Sequence, residues 1–489
     1  MGSEQVQLST AGQPHADDLA VGLVPGTLKA VALPTSRKLR TFYIETFGCL
    51  MNVHDSEKIA GVLVARGLQP VASDADADLI LYNTCNIREK AAQKVYARLG
   101  TFRKSAPGRD KIIGVLGCVA QQEGRRIFER APQVSLICGS ASYPQLTELL
   151  DQVEAGNRRV TGLADATGEC FETQLTRRDN PVRAYVTIIE GCDECCAFCV
   201  VPRTRGRERS RSSQKILAEC RRLVDEGWTE IHLLGQIVNH WADPSPPRLS
   251  FAELLSRAAE IRGLRRLRFA TSHPRYFTPD IVRAIEAHPT LCDHIHLPVQ
   301  SGSTRVLERM RRGYTRDEYL GKINCIRGAR RAISISTDII VGFCGETPED
   351  FEETLSLLDT VGFDQVFSFK FSARPGTAAR EFEDLVAEEE KARRLSVLQE
   401  RQRQIQWRRN QTLVGRELEV LVDSYQPRLG QSVGRTTSNR VVNFPGEPGW
   451  IGQYVRVRVT SAGANSLVGV RADKEGCEEM ARRDALVAP

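Results

Sequence analysis

The chain has 489 residues, of which 41% are hydrophobic and 26% charged, and a formal net charge of +6. At about 100–200 residues per domain this length allows two to four domains, and so small a net charge leaves any nucleic-acid contact to local clusters of cations. The 14 cysteines come without a basic start and apolar run in residues 1–30, which argues against a secretory leader. They point to a reducing, cytoplasmic setting where thiols serve metals rather than disulfides. No run reaches the roughly eighteen apolar residues of a membrane span, so no membrane association is expected.

Residues 1–39 lack periodicity and read as a tail. From there to residue 155 strand and helix signals alternate. Strands are predicted at Phe42–Phe47, Asp78–Tyr82, Lys111–Leu116 and Val134–Cys138, with helices over Asp55–Arg66, Lys90–Arg103, Gln121–Glu129 and Tyr143–Val153. This is the pattern of an open parallel α/β sheet. Cys49, Cys85 and Cys118 follow the first three strands in turn. Sites in such sheets form at the carboxyl ends of strands, so three loops would aim three thiols at one crevice. A single buried cysteine is more often a small core residue, and that reading suffices for Cys138, Cys170, Cys220, Cys292, Cys325 and Cys477.

Residues 156–183, punctuated by Gly156, Gly162, Gly168, Asn180 and Pro181, read as a linker. The apolar run Ala184–Ile189 then predicts a buried strand. It leads into Cys192, Cys196 and Cys199, a C-x3-C-x2-C frame. Iron–sulfur clusters usually take four cysteines, so three on one loop imply an iron with an open position, a catalytic rather than structural feature. Cys195 offers a second frame, C-x2-C-x3-C. A zinc knuckle would need a second ligand pair, and none follows within about thirty residues.

Residues 184–410 continue with strands at Glu230–Leu234, Arg266–Ala270, His294–Leu297, Ile333–Val341 and Gln365–Phe369. Helical patterns such as Ser213–Glu226 and Pro348–Val361 lie between them. Six strand–helix units predict an incomplete barrel with its site at the carboxyl end of the strands. Polar residues gather there: Gln236, Asn239, Ser272, Gln300, Asp338 and Gly342. Taken singly each suits a turn or a cap. Arg203, Arg205, Arg207, Arg209 and Arg211 crowd beside the cysteine loop and read as phosphate contacts. A long basic helix is expected over 389–409. Five short strands, Glu417–Val422, Gln431–Arg435, Arg440–Phe444, Tyr454–Val459 and Ser466–Val470, predict a small barrel. Arg435, Arg440, Arg456 and Arg458 are expected to give it a basic face for RNA. Residues 476–489 read as a tail.

The string from Glu190 through the three cysteines to Val200-Val-Pro-Arg-Thr-Arg-Gly206 resembles the radical S-adenosylmethionine methylthiotransferases of the MiaB type, which act on tRNA. Glu45-Thr-Phe-Gly-Cys-Leu-Met-Asn-Val-His-Asp-Ser-Glu57, Asn83-Thr-Cys-Asn-Ile-Arg88 and Gly117-Cys-Val-Ala-Gln-Gln122 resemble that family's opening motifs. The likeness runs from about Arg40 to about Val470, with departures at Leu50, Ile237, Cys344 and Phe371. It implies three units: an N-terminal methylthiotransferase domain over 40–155, a radical S-adenosylmethionine domain over 184–410, and a TRAM-like RNA-binding domain over 411–475.

The resemblance also implies two [4Fe–4S] clusters. One, on Cys192, Cys196 and Cys199, would cleave S-adenosylmethionine to a 5′-deoxyadenosyl radical. An auxiliary one, on Cys49, Cys85 and Cys118, would carry or donate sulfur. The rim residues Gln236, Asn239, Ser272, Gln300, Asp338 and Gly342 would hold S-adenosylmethionine. The implied substrate is N6-isopentenyladenosine beside the anticodon in the tRNA anticodon stem-loop. The implied partner is a flavodoxin-type or ferredoxin-type reductant, and the expected state is a monomer. Alternative readings are a sister methylthiotransferase acting on N6-threonylcarbamoyladenosine or on a ribosomal-protein aspartate. From another class, the chain could be a metal-stabilised RNA-binding protein without catalysis.

Overall fold

The computed structural model describes residues 38–85, 89–104, 111–164, 175–178 and 180–472. The two predicted tails fall almost wholly outside the described residues, as do Asn86–Arg88 of the second motif, much of the predicted linker, Cys170 and Cys477.

The first unit runs β1 (Thr41–Phe47), α1 (Leu50–Ala65), β2 (Gln69–Pro70), β3 (Leu79–Thr84), α2 (Glu89–Lys104), β4 (Ile112–Gly117), α3 (Cys118–Glu123), α4 (Arg126–Arg130), β5 (Leu136–Cys138), α5 (Leu146–Glu154) and β6 (Val160–Gly162). All pairings are parallel, in the order β2-β1-β3-β4-β5-β6. The central strand β3, Leu-Ile-Leu-Tyr-Asn-Thr, is buried throughout, as expected of a strand covered on both faces. Two expectations change. The predicted helix over Gln121–Glu129 is two helices, broken at Gly124, whose φ of 54° a helix cannot accommodate. Val160–Gly162, placed in the linker, is instead the edge strand β6.

The second unit runs β7 (Arg183–Thr187), β8 (Ile189–Glu190), α6 (Val201–Thr204), β9 (Arg209–Ser210), α7 (Ser213–Asp225), β10 (Glu230–Leu234), α8 (Phe251–Ala259), β11 (Arg266–Phe269), α9 (Pro279–Ala287), β12 (His294–His296), α10 (Thr304–Arg309), α11 (Arg316–Arg327), β13 (Ser334–Val341), α12 (Pro348–Val361), β14 (Gln365–Lys370) and α13 (Glu388–Gln411). Ser250–Glu253, Thr315–Glu318 and Thr347–Asp350 form reciprocal caps that start α8, α11 and α12, each satisfying backbone donors that a helix start leaves over. Strands β7, β10 and β11 pair in parallel, as do β12, β13 and β14. The two triplets join where Leu267 bonds Thr290 and Cys292. Strands β7 and β14 do not pair, so this is the six-stranded incomplete barrel the spacing predicts. Alternation along each strand sends Ala184, Val186, Ile231, Leu233, Leu267, Ile295 and Ile335 outward to the helices. Their neighbours Tyr185, Glu230, His232, Arg268, His294, His296 and Ser336 turn into the lumen and bond one another.

The third unit is a closed five-stranded barrel of β15 (Glu417–Gln426), β16 (Gln431–Arg435), β17 (Val441–Pro445), β18 (Tyr454–Ala462) and β19 (Leu467–Arg471), closing β15-β16-β17-β19-β18. It docks on the amino end of the central strands. Arg183 pairs with Asp423 at 3.0 Å, Arg266 and Arg268 donate to the carbonyls of Arg435 and Thr436 at 2.8 and 2.7 Å, and Thr437 donates to Asp293 at 2.9 Å. The first unit covers the other end: Met51 packs on Tyr185 and Leu234, and Ser140 donates to the Thr204 carbonyl at 2.9 Å. No helix among the described residues is long and apolar enough to cross a membrane.

Candidate active site

Three adjacent strand ends bring Cys49, Cys85 and Cys118 together. Cys49 caps α1, Cys85 follows β3, and Cys118 opens α3. The loops are bolted to each other. Asn52 donates to Asn83 Oδ1 at 3.1 Å, Asn83 returns a bond to the Asn52 carbonyl at 2.9 Å, and Thr84 donates to the Leu116 carbonyl at 3.0 Å. A side chain at Gly48 would lie 2.3 Å from Cys85 Cβ, so the first loop can approach the second only as glycine. A hydrogen bond from Cys85, aided against burial by the Arg205 charge, lowers the Cys49 thiol to about 6. Burial instead raises Cys118, opposed by Arg205. Three thiols gathered at adjacent strand ends, one of them easily ionised, are a donor set suited to iron or another soft metal.

The second trio sits on the loop between β8 and α6. Gly191, at φ 77°, passes so close to Arg207 that a side chain would meet its carbonyl at 2.0 Å. Cys192 is buried and donates its N–H to the Gly206 carbonyl at 3.1 Å. Arg312 reaches the Cys196 sulfur at 3.2 Å, and the Val201 N–H points at the Cys199 sulfur at 3.5 Å. Burial, then the neighbouring thiols, pushes Cys192 up to about 12 and Cys199 to about 11. Cys195 is exposed, and its thiol turns back to the Asp193 carbonyl at 3.9 Å. The turn α6 that follows Cys199 packs against α3, which Cys118 opens, so the two trios lie along the same seam between the first and second units.

At the carboxyl end of the barrel, Gln236 Oε1, Ser272 Oγ, Thr187 Oγ1 and His273 Nε2 are buried with no hydrogen-bond partner among the described residues. Burying such atoms unmatched costs about 1–3 kcal/mol each. Their concentration at one end of the barrel, on the ends of β7, β10 and β11, therefore fits a polar cofactor that satisfies them. Burial lowers His273 to about 2, which leaves its imidazole neutral. Asp338 meets His296 at 3.4 Å in the lumen, and Gln300 holds φ 75° beside it.

Two of the rim residues expected to touch S-adenosylmethionine are spent internally. The Asn239 amide clamps the His273 backbone, donating at 2.9 Å and accepting at 2.7 Å. The Gly342 N–H is taken by Glu346 at 2.9 Å, and its φ of 69° turns the chain against Lys391. These bonds help to shape the rim.

Of the arginines expected on RNA, Arg203 and Arg207 are exposed at the lip. Arg205 is buried and paired with Asp55 at 2.6 Å, out of reach of an external phosphate. Arg440 is bound to Asp364 and Asn410, and Arg435 lies 3.4 Å from Asp423. Both are drawn into the seam between the small barrel and the central domain, whereas Arg456 and Arg458 remain exposed. Asp55, Arg312 and His273 join the site without having been singled out. Asp55 lay in a quoted motif, His273 directly follows the rim residue Ser272, and nothing in the local sequence marks Arg312.

The chain matches three families: uncharacterized protein family UPF0004 over residues 41–139, the radical SAM superfamily over 186–358, and the TRAM domain over 411–470. It is 59% identical over 434 residues to the tRNA-2-methylthio-N(6)-dimethylallyladenosine synthase of Solibacter usitatus (strain Ellin6076), covering 88% of this chain and 97% of that protein. The protein of the same name from Koribacter versatilis (strain Ellin345) is 54% identical over 443 residues, 89% of this chain and 99% of its own length. Among solved structures, the fold resembles the radical S-adenosylmethionine methyltransferase TsrM from Kitasatospora setae. The TM-score is 0.52 at 14% identity, over 70% of this chain and 74% of that one. Three domain matches in this order, and near-full-length identity well beyond what a shared fold requires, place the chain in the tRNA-2-methylthio-N(6)-dimethylallyladenosine synthase family, the MiaB type of radical S-adenosylmethionine enzyme.

Proposed function

We propose that this chain is a tRNA methylthiotransferase that converts N6-isopentenyladenosine beside the anticodon to its 2-methylthio derivative. The observation that supports the reading is that thiol trios from two different units lie along one seam, where the turn after Cys199 packs on the helix that Cys118 opens. Cys192, Cys196 and Cys199 would hold one [4Fe–4S] cluster and Cys49, Cys85 and Cys118 the other. Together with S-adenosylmethionine these groups supply radical chemistry at a C–H bond too weakly acidic for a side-chain base, and the sulfur and methyl that replace the hydrogen.

The protein supplies position and shelter. Arg312 places a cation against Cys196. Gln236 and Ser272 present unmatched polar atoms to the methionine, ribose or adenine parts of the cofactor, and Asn239 fixes the His273 loop between them. The gap between β7 and β14 admits a base that has left its stack, and Phe367, 37% exposed on β14 with its ring edge against His296, lines that gap. Arg203 and Arg207 stand at the lip for phosphates. A flavodoxin-type or ferredoxin-type protein would deliver electrons to a monomer working in the cytoplasm.

Anaerobic reconstitution tests this reading. It expects about eight iron and eight sulfide per chain, the content of two cubane clusters, and 2-methylthio-N6-isopentenyladenosine in tRNA treated with the protein. Glu194, Cys196 and His273 bring ligand atoms within 4.8 Å of one another, a rival seat for one divalent ion. A chain that takes up only zinc and leaves tRNA unmodified overturns the proposal.

A further inference from the structure

Arg205 leaves the second unit just after α6, the turn that follows Cys199, and its guanidinium crosses into the first unit. There it meets Asp55 of α1 at 2.6 Å, with the two side chains only 5% and 1% exposed. The turn it ends packs against α3, the helix that Cys118 opens, and its charge acts on both Cys118 and Cys49. The backbone beneath is fixed: the Arg205 N–H bonds the Val201 carbonyl at 2.8 Å, and Arg209 donates to the Arg205 carbonyl at 3.3 Å while pairing with Glu190 at 3.2 Å. One turn of chain thus ties the loop of Cys192, Cys196 and Cys199 to the crevice of Cys49, Cys85 and Cys118. It does so through a buried cation and a buried anion of opposite effect.

A buried ion pair is weak evidence for stability, because desolvation offsets most of the attraction. Its position here suggests another role. Away from water a unit charge acts strongly on a neighbouring site, and the potential of an iron–sulfur cluster follows the net charge and hydrogen bonds around its sulfurs.

We propose that Arg205 and Asp55 are positioning residues that set, with opposite signs, the electron affinity of the group held by Cys49, Cys85 and Cys118, so that the loop of the first cluster governs the charge environment of the second. Arg205 brings a buried positive charge to the side of the ligand sulfurs and favours an electron added there. Asp55 holds the guanidinium in place and subtracts part of its field. The inference rests on the two-cluster reading given above.

The test uses the full-length chain carrying Cys192→Ala, Cys196→Ala and Cys199→Ala, reconstituted anaerobically so that only the auxiliary site is loaded. The midpoint potential is read by an EPR-monitored dithionite titration, in which each cluster gains one electron from dithionite. Arg205→Met is expected to lower the potential, the near-isosteric Asp55→Asn to raise it, and Arg205→Lys, which keeps the charge, to fall between wild type and Arg205→Met. If Arg205→Met does not load, Asp55→Asn decides alone. Potentials that stay put, or that move in the same direction in Arg205→Met and Asp55→Asn at equal iron and sulfide content, overturn the inference and leave the two-cluster reading standing. Failure of the parent triple variant to bind any iron overturns both.

Discussion

The two ends of the central barrel are built from the same strands and treat their polar groups in opposite ways. At the amino end, Arg183, Arg266 and Arg268 meet Asp423, Glu419 and Glu230, and the small barrel adds carbonyls from Arg435 and Thr436. Only guanidinium Nε atoms and one Glu230 oxygen are left over, and that oxygen still lies 3.8 Å from Arg266. At the carboxyl end, Gln236, Ser272, Thr187 and His273 keep buried polar atoms unmatched among the described residues, under a first unit that brings three thiols to the seam. One end is finished by protein; the other is shaped for something the protein binds. Charge alone does not distinguish them, since arginines are plentiful at both.

The largest effects should separate the two trios at the carboxyl end. Cys196→Ala is expected to abolish reductive cleavage of S-adenosylmethionine, measured as 5′-deoxyadenosine formed under dithionite. Cys85→Ala should keep cleavage and lose thiolation of tRNA. Equal cleavage by wild type and Cys196→Ala would sink the assignment of Cys196 and return the frame to Cys195.

The amino end should respond in stability and not in chemistry. Burial pushes the Glu230 carboxyl up, but Arg268, the His232 bond at 2.6 Å and Arg266 outweigh it and hold it well below the usual carboxylate range. Glu230→Gln leaves Arg268 buried without its paired anion while Arg266 keeps Glu419, a loss of about 3–5 kcal/mol for a broken buried pair, read by urea unfolding. A depressed carboxyl contributes stability that is full above the unfolded value of about 4.3. That contribution is lost as pH falls toward the folded value, so the wild type should weaken on acidification below about pH 4 while Glu230→Gln stays flatter. Unchanged acid stability in the variant would show that the anion is not what holds this end.

The next contrast concerns arginines that look alike in sequence. Arg440→Ala, which removes a clamp on Asp364 and Asn410, should lower the unfolding midpoint and leave the salt dependence of tRNA binding alone. Arg207→Ala, exposed at the lip, should do the reverse, reducing the slope of log affinity against log salt by about 0.7–0.9, one phosphate contact. A fall in salt slope with Arg440→Ala would restore it to the RNA face first expected for it.

That pair also shows where the sequence ran out. Central strands were readable as short apolar runs between helical patterns, and β7, β10 and β11 are buried at nearly every residue, whereas strands β16 and β17 of the small barrel alternate in burial every second residue. Cys49, Cys85 and Cys118 were readable because strand ends in a parallel sheet share one side. The three-residue strand β6 was hidden, being too short to show a period and pinned only by its neighbour β5. Arg205 and Arg440 were misplaced for one shared reason. A donor in a motif has the same letter whether it meets a phosphate, a cofactor or a carboxylate of this chain, and only the folded neighbours decide. Arg312, more than a hundred residues from Cys196, carried no local signal at all.

The smallest expected effect is the sharpest check on the cysteine loop. Cys195 and Cys196 are adjacent, so backbone geometry forces their side chains apart, and a tight cluster on three ligands can recruit one but not both. The exposed thiol of Cys195 turns to the Asp193 carbonyl, while Cys196 faces Arg312. Serine keeps the size and hydrogen-bonding of Cys195 but is a poor ligand for iron. Cys195→Ser should therefore retain wild-type iron content and cleavage rate within about twofold, under 0.5 kcal/mol of barrier, whereas Cys196→Ser should lose both. A deficit in Cys195→Ser that matches Cys196→Ala would mean the loop rearranges on loading, with the exposed thiol swinging inward to become the ligand.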